Sequence, residues 1–348
     1  MTRLVSFEVQ MVLIAVLLVH VGSFASIGFA NEHAVDEEEE APMTMWDAIL
    51  FPVMAGSVLT GLWLAFRYID KDAVNVVLAV YFALMAGVAG GLVFSRGLAA
   101  CLNRKGPPRV ALRVSIPYVA QATLSWLDLE EVTVAWVAEQ WNSLALHAVL
   151  NNAVAALICV QGVASLSVGR FSTAAMLLVG VFAYDIFMVF GTGMMQDVAK
   201  TVKGPILLKF PWPTPEDATP ETQARPFAML GLGDIVLPGA FIALVLRFEA
   251  WTAKVWKSAH DLPPKQKDST KKIGGHALHL NFPKPIYWTT LVLYGIGLVV
   301  TIIVMVYFKH AQPALLYLVP AVLLGSLLSA LIVGKFSSLL NYSEEPKE

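Results

Sequence analysis

The chain has 348 residues, 57% of them hydrophobic and only 14% charged, with a mean hydropathy of +0.66. A soluble domain carries about 25% charged residues, so this composition excludes an ordinary soluble protein and indicates an all-α polytopic membrane protein. The net charge of −2 decides little, because the charges sit in a few loops. Nucleic-acid binding has no support beyond one Lys-rich loop, so no such partner is expected.

A bilayer core needs about 20 apolar helical residues. Spans are predicted in chain order at 5–29, 46–66, 74–95, 148–167, 172–193, 227–247, 286–308 and 313–334. A ninth, near 129–147, is ambiguous, because its run LEEVTVAWVAEQWNSLALH holds Glu130, Glu131 and Glu139. Hydropathy reads it equally well as interfacial. The first segment, 1–30, is read as a transmembrane segment or a signal peptide. Arg3 precedes its apolar run and small residues precede Asn31, yet the run is long for a signal peptide. Residues 31–167 are expected to form the N-terminal transmembrane helices and 168–348 the C-terminal transmembrane region.

Loop charges suggest an orientation. The loop at 96–128 carries five Lys/Arg against one acid, and that at 248–285 seven Lys against three acids. The loop at 194–226 is balanced, four against four. The positive-inside rule puts the first two in the cytosol and the third outside, which nine spans would satisfy with a cytosolic carboxyl terminus. Arg3 before the first span and the acidic run after it favour the opposite direction for that span, or its removal. Six prolines break the stretch 203–226. Within it the run Ile206 to Phe210 is expected to be extended, or a strand edge. Cys101 and Cys159 form neither a disulfide framework nor a zinc pattern.

Two predicted spans hold an acid near mid-depth: Asp185 in LLVGVFAYDIFMVFG and Asp234 in AMLGLGDIVLPGAF. An ionised carboxylate at the bilayer centre costs about 2.5–3.5 kcal/mol on insertion scales. Three readings compete for such residues: a structural hydrogen bond between helices, an ion or proton relay, and catalysis by a pair. Two carboxyls in one low-dielectric site share a proton. One can then act as general base on water while the protonated partner polarises a carbonyl. Gly231 and Gly233 remove side chains just before Asp234, allowing close approach of a helix or a substrate strand. Pro238 is expected to loosen the helix that follows. A third stretch, KHAQPALLYLVPA at 309–321, places Pro313 at the start of the last span and Pro320 inside it.

Taken together, Tyr184-Asp185, GLGD at 231–234 and Pro-Ala-Leu at 313–315, in that order on three late spans, resemble the GxGD intramembrane aspartyl proteases. This family comprises presenilins and signal peptide peptidases. The strings YDIFMVFGTGMM, MLGLGDIVLPGAFIALVLRF and FKHAQPALLYLVPA are more similar to signal peptide peptidases. The resemblance runs from about 147 to 343 and is weaker over 45–105.

The resemblance implies a presenilin-like fold of about nine transmembrane helices, with Asp185 and Asp234 as the catalytic aspartates. It also implies that Tyr184 shapes the site, that Gly231, Leu232 and Gly233 line the cleft, and that Pro313, Ala314 and Leu315 close it and position substrate. The implied substrates are type II-oriented membrane helices, including remnant signal peptides, cut within the bilayer. Residence in the endoplasmic reticulum membrane, with the 194–226 loop lumenal and the carboxyl terminus cytosolic, follows by the same analogy. In that case the sequon Asn341-Tyr342-Ser343 goes unused.

A membrane helix resists cleavage because its carbonyls are bonded internally and no water surrounds it. Local unwinding is therefore expected, with the substrate strand pairing to exposed backbone; the region around 203–210 is the expected partner. No cofactor and no metal is expected, since His20, His147 and His310 are scattered without ligand spacing. The rival readings are a transporter or ion-leak channel, and a non-cleaving adaptor for membrane-protein degradation. A relay has no need of both GLGD and PAL. Homo-oligomerisation and degradation-complex partners stay open at this point.

Overall fold

The computed structural model describes residues 2–33, 43–101, 112–116, 120–124, 144–166, 168–202, 204–211, 227–253, 282–308 and 312–344. Ten α-helices are described: α1 (Thr2–His33), α2 (Met45–Tyr68), α3 (Lys71–Cys101), α4 (Leu144–Ser165) and α5 (Phe171–Ile186), then α6 (Met194–Thr201), α7 (Gly233–Thr252), α8 (Pro285–Phe308), α9 (Leu315–Ile332) and α10 (Phe336–Leu340). Two antiparallel hairpins accompany them: β1 (Leu112–Ile116) with β2 (Ala120–Leu124), and β3 (Leu207–Pro211) with β4 (Phe227–Gly231).

Among the described residues, six helical segments are long and apolar enough to cross a membrane: Val9–Ile27, Met45–Tyr68, Phe171–Gly191, Gly233–Thr252, Pro285–Phe308 and Leu315–Ile332. Asn151–Ser165 is an apolar stretch within α4, and the span expected at 74–95 falls within α3. Most of the ambiguous 129–147 segment lies outside the described residues.

The chain divides into two compact units. The first comprises Met1–Lys71, Gly162–Val202 and Gly233–Glu348. Its centre is α7, against which α1, α5, α8 and α9 all pack. The α7 span is 78% buried, against 6% for α2. A helix apolar on every side suits such a position. Its Gly239 makes the approach close: a Cβ there would come 2.7 Å from Val163 Cγ2 and 3.3 Å from Val19 Cγ2. The far end of α7 is clasped by polar contacts. The Glu249 carboxylate accepts the Ile286 and Tyr287 N–H groups at 3.0 and 2.8 Å, satisfying donors at the start of α8. Arg247 pairs with Glu344 at 2.8 Å, and its Nη1 donates to Ser26 Oγ at 2.9 Å. The chain around Glu344 also binds the beginning of α5: the Glu344 N–H donates to Gly169 O at 2.7 Å and the Phe171 N–H to Tyr342 O at 3.3 Å.

The second unit comprises Asp72–Gln161 and Lys203–Leu232. In it β3 is held on both edges. One edge pairs with β4, Leu207 opposite Gly231 through Pro211 opposite Phe227. On the other, Asn151 Nδ2 donates to Leu207 O at 2.8 Å, while Asn152 accepts the Lys209 N–H at 2.7 Å and donates to Lys209 O at 2.6 Å. The two asparagine amides thus do for β3 what a third strand would do.

Two expectations need correction. The span placed at 227–247 begins too early: Phe227–Gly231 is a strand, and the helix starts at Gly233. Hydropathy does not distinguish five apolar residues in a strand from five in a helix, and it was the partner strand that decided. The last span starts at Leu315 rather than Pro313, with Ala314 as its cap.

Candidate active site

Asp185 is the penultimate residue of α5, two positions before the helix widens into a π-helical turn, Phe187–Gly191. Such turns in membrane and soluble helices often mark functional positions. Thr192 steadies this one by donating its hydroxyl to Met188 O at 2.9 Å. The Asp185 side chain is buried, 4% exposed, and its Oδ2 accepts the Leu315 N–H at 3.0 Å. The first turn of α9 is thereby fastened to α5. Pro313 and Leu315 are buried and Ala314 is half-buried. The Pro313 and Ala314 carbonyls are bonded by the N–H groups of Leu316, Tyr317 and Leu318 at 3.1–3.3 Å.

Asp234 lies in the first turn of α7, partly exposed. Helices α5 and α7 pack against each other. Tyr184 is half-buried over α2: a Cβ on Gly56 would lie 3.4 Å from both the Tyr184 ring and the Met188 methyl. Gly233 is exposed, and a Cβ built on it would meet nothing within 4 Å. In the second unit, Gly231 ends β4, and the Leu232 N–H extends the hairpin by donating to Ile206 O at 3.2 Å.

In the first unit the residues Tyr184, Asp185, Gly233, Asp234, Pro313, Ala314 and Leu315 therefore fall on three mutually packed helices and their leading turns. Gly231 and Leu232 belong to the hairpin, joined to Gly233 by the chain itself. Pro238 lies inside α7, which continues through it. One expectation changes. The expected substrate-pairing region at 203–210 has its outer edge occupied, since both backbone groups of Lys209 are bonded to Asn152.

Sequence reasoning missed three sets of residues. Asn151 and Asn152 carry a weak signal, two adjacent amides in an apolar run. Tyr294, whose hydroxyl donates to the Asp234 carbonyl at 3.2 Å, carries none, because tyrosine is ordinary in a membrane helix. Arg247 and Glu344 lie 97 positions apart and nothing local links them. A cavity of about 370 Å³ lies between α2 and α6, lined by residues such as Trp63, Arg67 and Asp197, and none of the candidate residues lines it.

A family model described as signal peptide peptidase matches residues 35–346, most of the chain. The chain belongs to the signal peptide peptidase family. It is 33% identical to the signal peptide peptidase of Mus musculus over 97% of this chain and 84% of that protein, and 32% identical to that of Homo sapiens over the same shares. Over 57% of its length it is 41% identical to intramembrane protease 2 of Caenorhabditis elegans, covering 39% of that protein. As a member of the signal peptide peptidase family, it is a multi-pass intramembrane aspartic protease acting on membrane-embedded peptides.

Proposed function

We propose that Asp185 and Asp234 are the catalytic pair and that the catalytic region spans 168–348. One carboxylate removes a proton from water as the water adds to the scissile carbonyl, and the protonated partner transfers its proton to that carbonyl oxygen. The resulting gem-diol collapses with cleavage of the C–N bond, one hydroxyl returning its proton to the ionised carboxylate while the other carboxyl's proton passes to the departing amine. The observation that carries this reading is the hydrogen bond from Leu315 N–H to Asp185. It joins the YD and PAL stretches on helices that pack against the one bearing Asp234.

Tyr184, Gly231, Leu232, Gly233, Pro313, Ala314 and Leu315 are assigned to substrate binding. The open space at Gly233 supports this, because the protein itself makes no use of the missing side chain. Since β3 is held on both edges, the outer edge of β4 is the better template for an unwound substrate segment. From β4 the chain passes through Leu232 directly to Gly233 and Asp234.

The substrates we assign are type II-oriented membrane helices, including signal peptides left in the endoplasmic reticulum membrane. Loop charges support this orientation, with the 194–226 loop lumenal and the carboxyl terminus cytosolic. The test is incubation of purified protein with a labelled signal peptide and mass spectrometry of the products. Asp185→Asn and Asp234→Asn are each expected to lower cleavage by about 100-fold or more. Cleavage by either variant at the wild-type rate would refute the pair.

A further inference from the structure

In an α-helix the carbonyl of residue i is bonded by the N–H of residue i+4. For Asp234 that residue is Pro238, which has no N–H and whose ring crowds the same carbonyl. Here the structure supplies a substitute from another helix. The Tyr294 hydroxyl, on α8, donates to the Asp234 carbonyl at 3.2 Å. Tyr294 is 0% exposed, so its ring is held by packing on every side. The preceding residue, Gly233, brings no side chain to this turn and has open space at its Cβ position.

We propose that Tyr294 is a positioning residue for the proteolytic reaction. Its hydroxyl replaces the donor that Pro238 removes and anchors the first turn of α7, fixing the direction in which Asp234 presents its carboxyl. Residues 234, 238 and 294 thus work as one unit: proline opens a backbone acceptor beside the acid, and a rigidly packed phenol fills it. The inference rests on the reading of Asp234 as catalytic.

A double-mutant cycle tests it. Wild type, Tyr294→Phe, Pro238→Ala and the combined variant are purified in one detergent and assayed on a labelled signal peptide. Tyr294→Phe keeps the ring and removes the donor; kcat is expected to fall about 10-fold, with KM within about 2-fold. In the Pro238→Ala background the restored N–H can bond the Asp234 carbonyl, so the same tyrosine change should cost less than about 3-fold. If Tyr294→Phe fails to fold, Pro238→Ala should rescue it. Equal losses in both backgrounds, or none in either, would overturn the proposal. Asp234→Asn run beside them separates the two ideas. If it still cleaves, the catalytic reading itself fails; if it is inactive and the cycle is additive, only the role of Tyr294 is lost.

Discussion

The Leu315 N–H donates to the Asp185 carboxylate at 3.0 Å, so an acid on one helix caps the start of another. A side-chain amide can accept the same bond through its oxygen, whereas a methyl group cannot. Asp185→Asn should therefore unfold near the wild-type temperature. Asp185→Ala should lose about 1–3 kcal/mol, because it leaves a buried N–H without an acceptor. Thermal unfolding in detergent distinguishes them, and equal midpoints would show that the bond holds nothing together. With this control, loss of cleavage in the asparagine variant reports chemistry rather than a broken α5–α9 contact.

Two glycines should respond in opposite ways. At Gly233 an added side chain meets open space, while at Gly239 it meets Val163 at 2.7 Å. Gly233→Leu is expected to keep its melting midpoint and lose cleavage, by about 10-fold or more if substrate occupies that space. Gly239→Ala is expected to lower the midpoint, at a cost of about 1–3 kcal/mol from overpacking. Full activity in Gly233→Leu would remove the reason for assigning substrate there.

Asn152 makes two hydrogen bonds to the backbone of Lys209, at 2.7 and 2.6 Å. Asn152→Ala would leave both groups of that strand position without their partner. The amide of Lys209 should then exchange with deuterium faster, by roughly 10-fold for about 1.4 kcal/mol of local stability. Unchanged exchange at Lys209 would mean that β4 alone holds the strand.

Arg247 is 3% exposed and pairs with Glu344 at 2.8 Å. Removing one partner of a buried ion pair is costly, on the order of 3 kcal/mol, while replacing both by apolar groups can be neutral. Glu344→Ala should therefore lower the melting midpoint more than Glu344→Ala combined with Arg247→Met. If the double variant were the less stable, the pair would be contributing attraction beyond its desolvation cost. Because the segment holding Glu344 also bonds the start of α5, cleavage should fall with stability in the single variant.

Much of this molecule was legible before any coordinates. Apolar runs near bilayer length mark membrane helices because each run must satisfy its own backbone in lipid. Asp185 and Asp234 stood out because a carboxylate in such a run is expensive. Spacing within YD, GLGD and PAL carried the family resemblance, and the chain's relatives agree with it. What one dimension could not carry is everything that depends on partners distant along the chain. Phe227–Gly231 is apolar in either conformation and becomes a strand because Leu207–Pro211 lies beside it. Pro238 leaves the Asp234 carbonyl without its usual helical donor, and Tyr294, 56 positions further on, bonds that carbonyl. Local propensity sets which backbone groups lack a partner, and only the packed arrangement of helices determines which distant side chain supplies one.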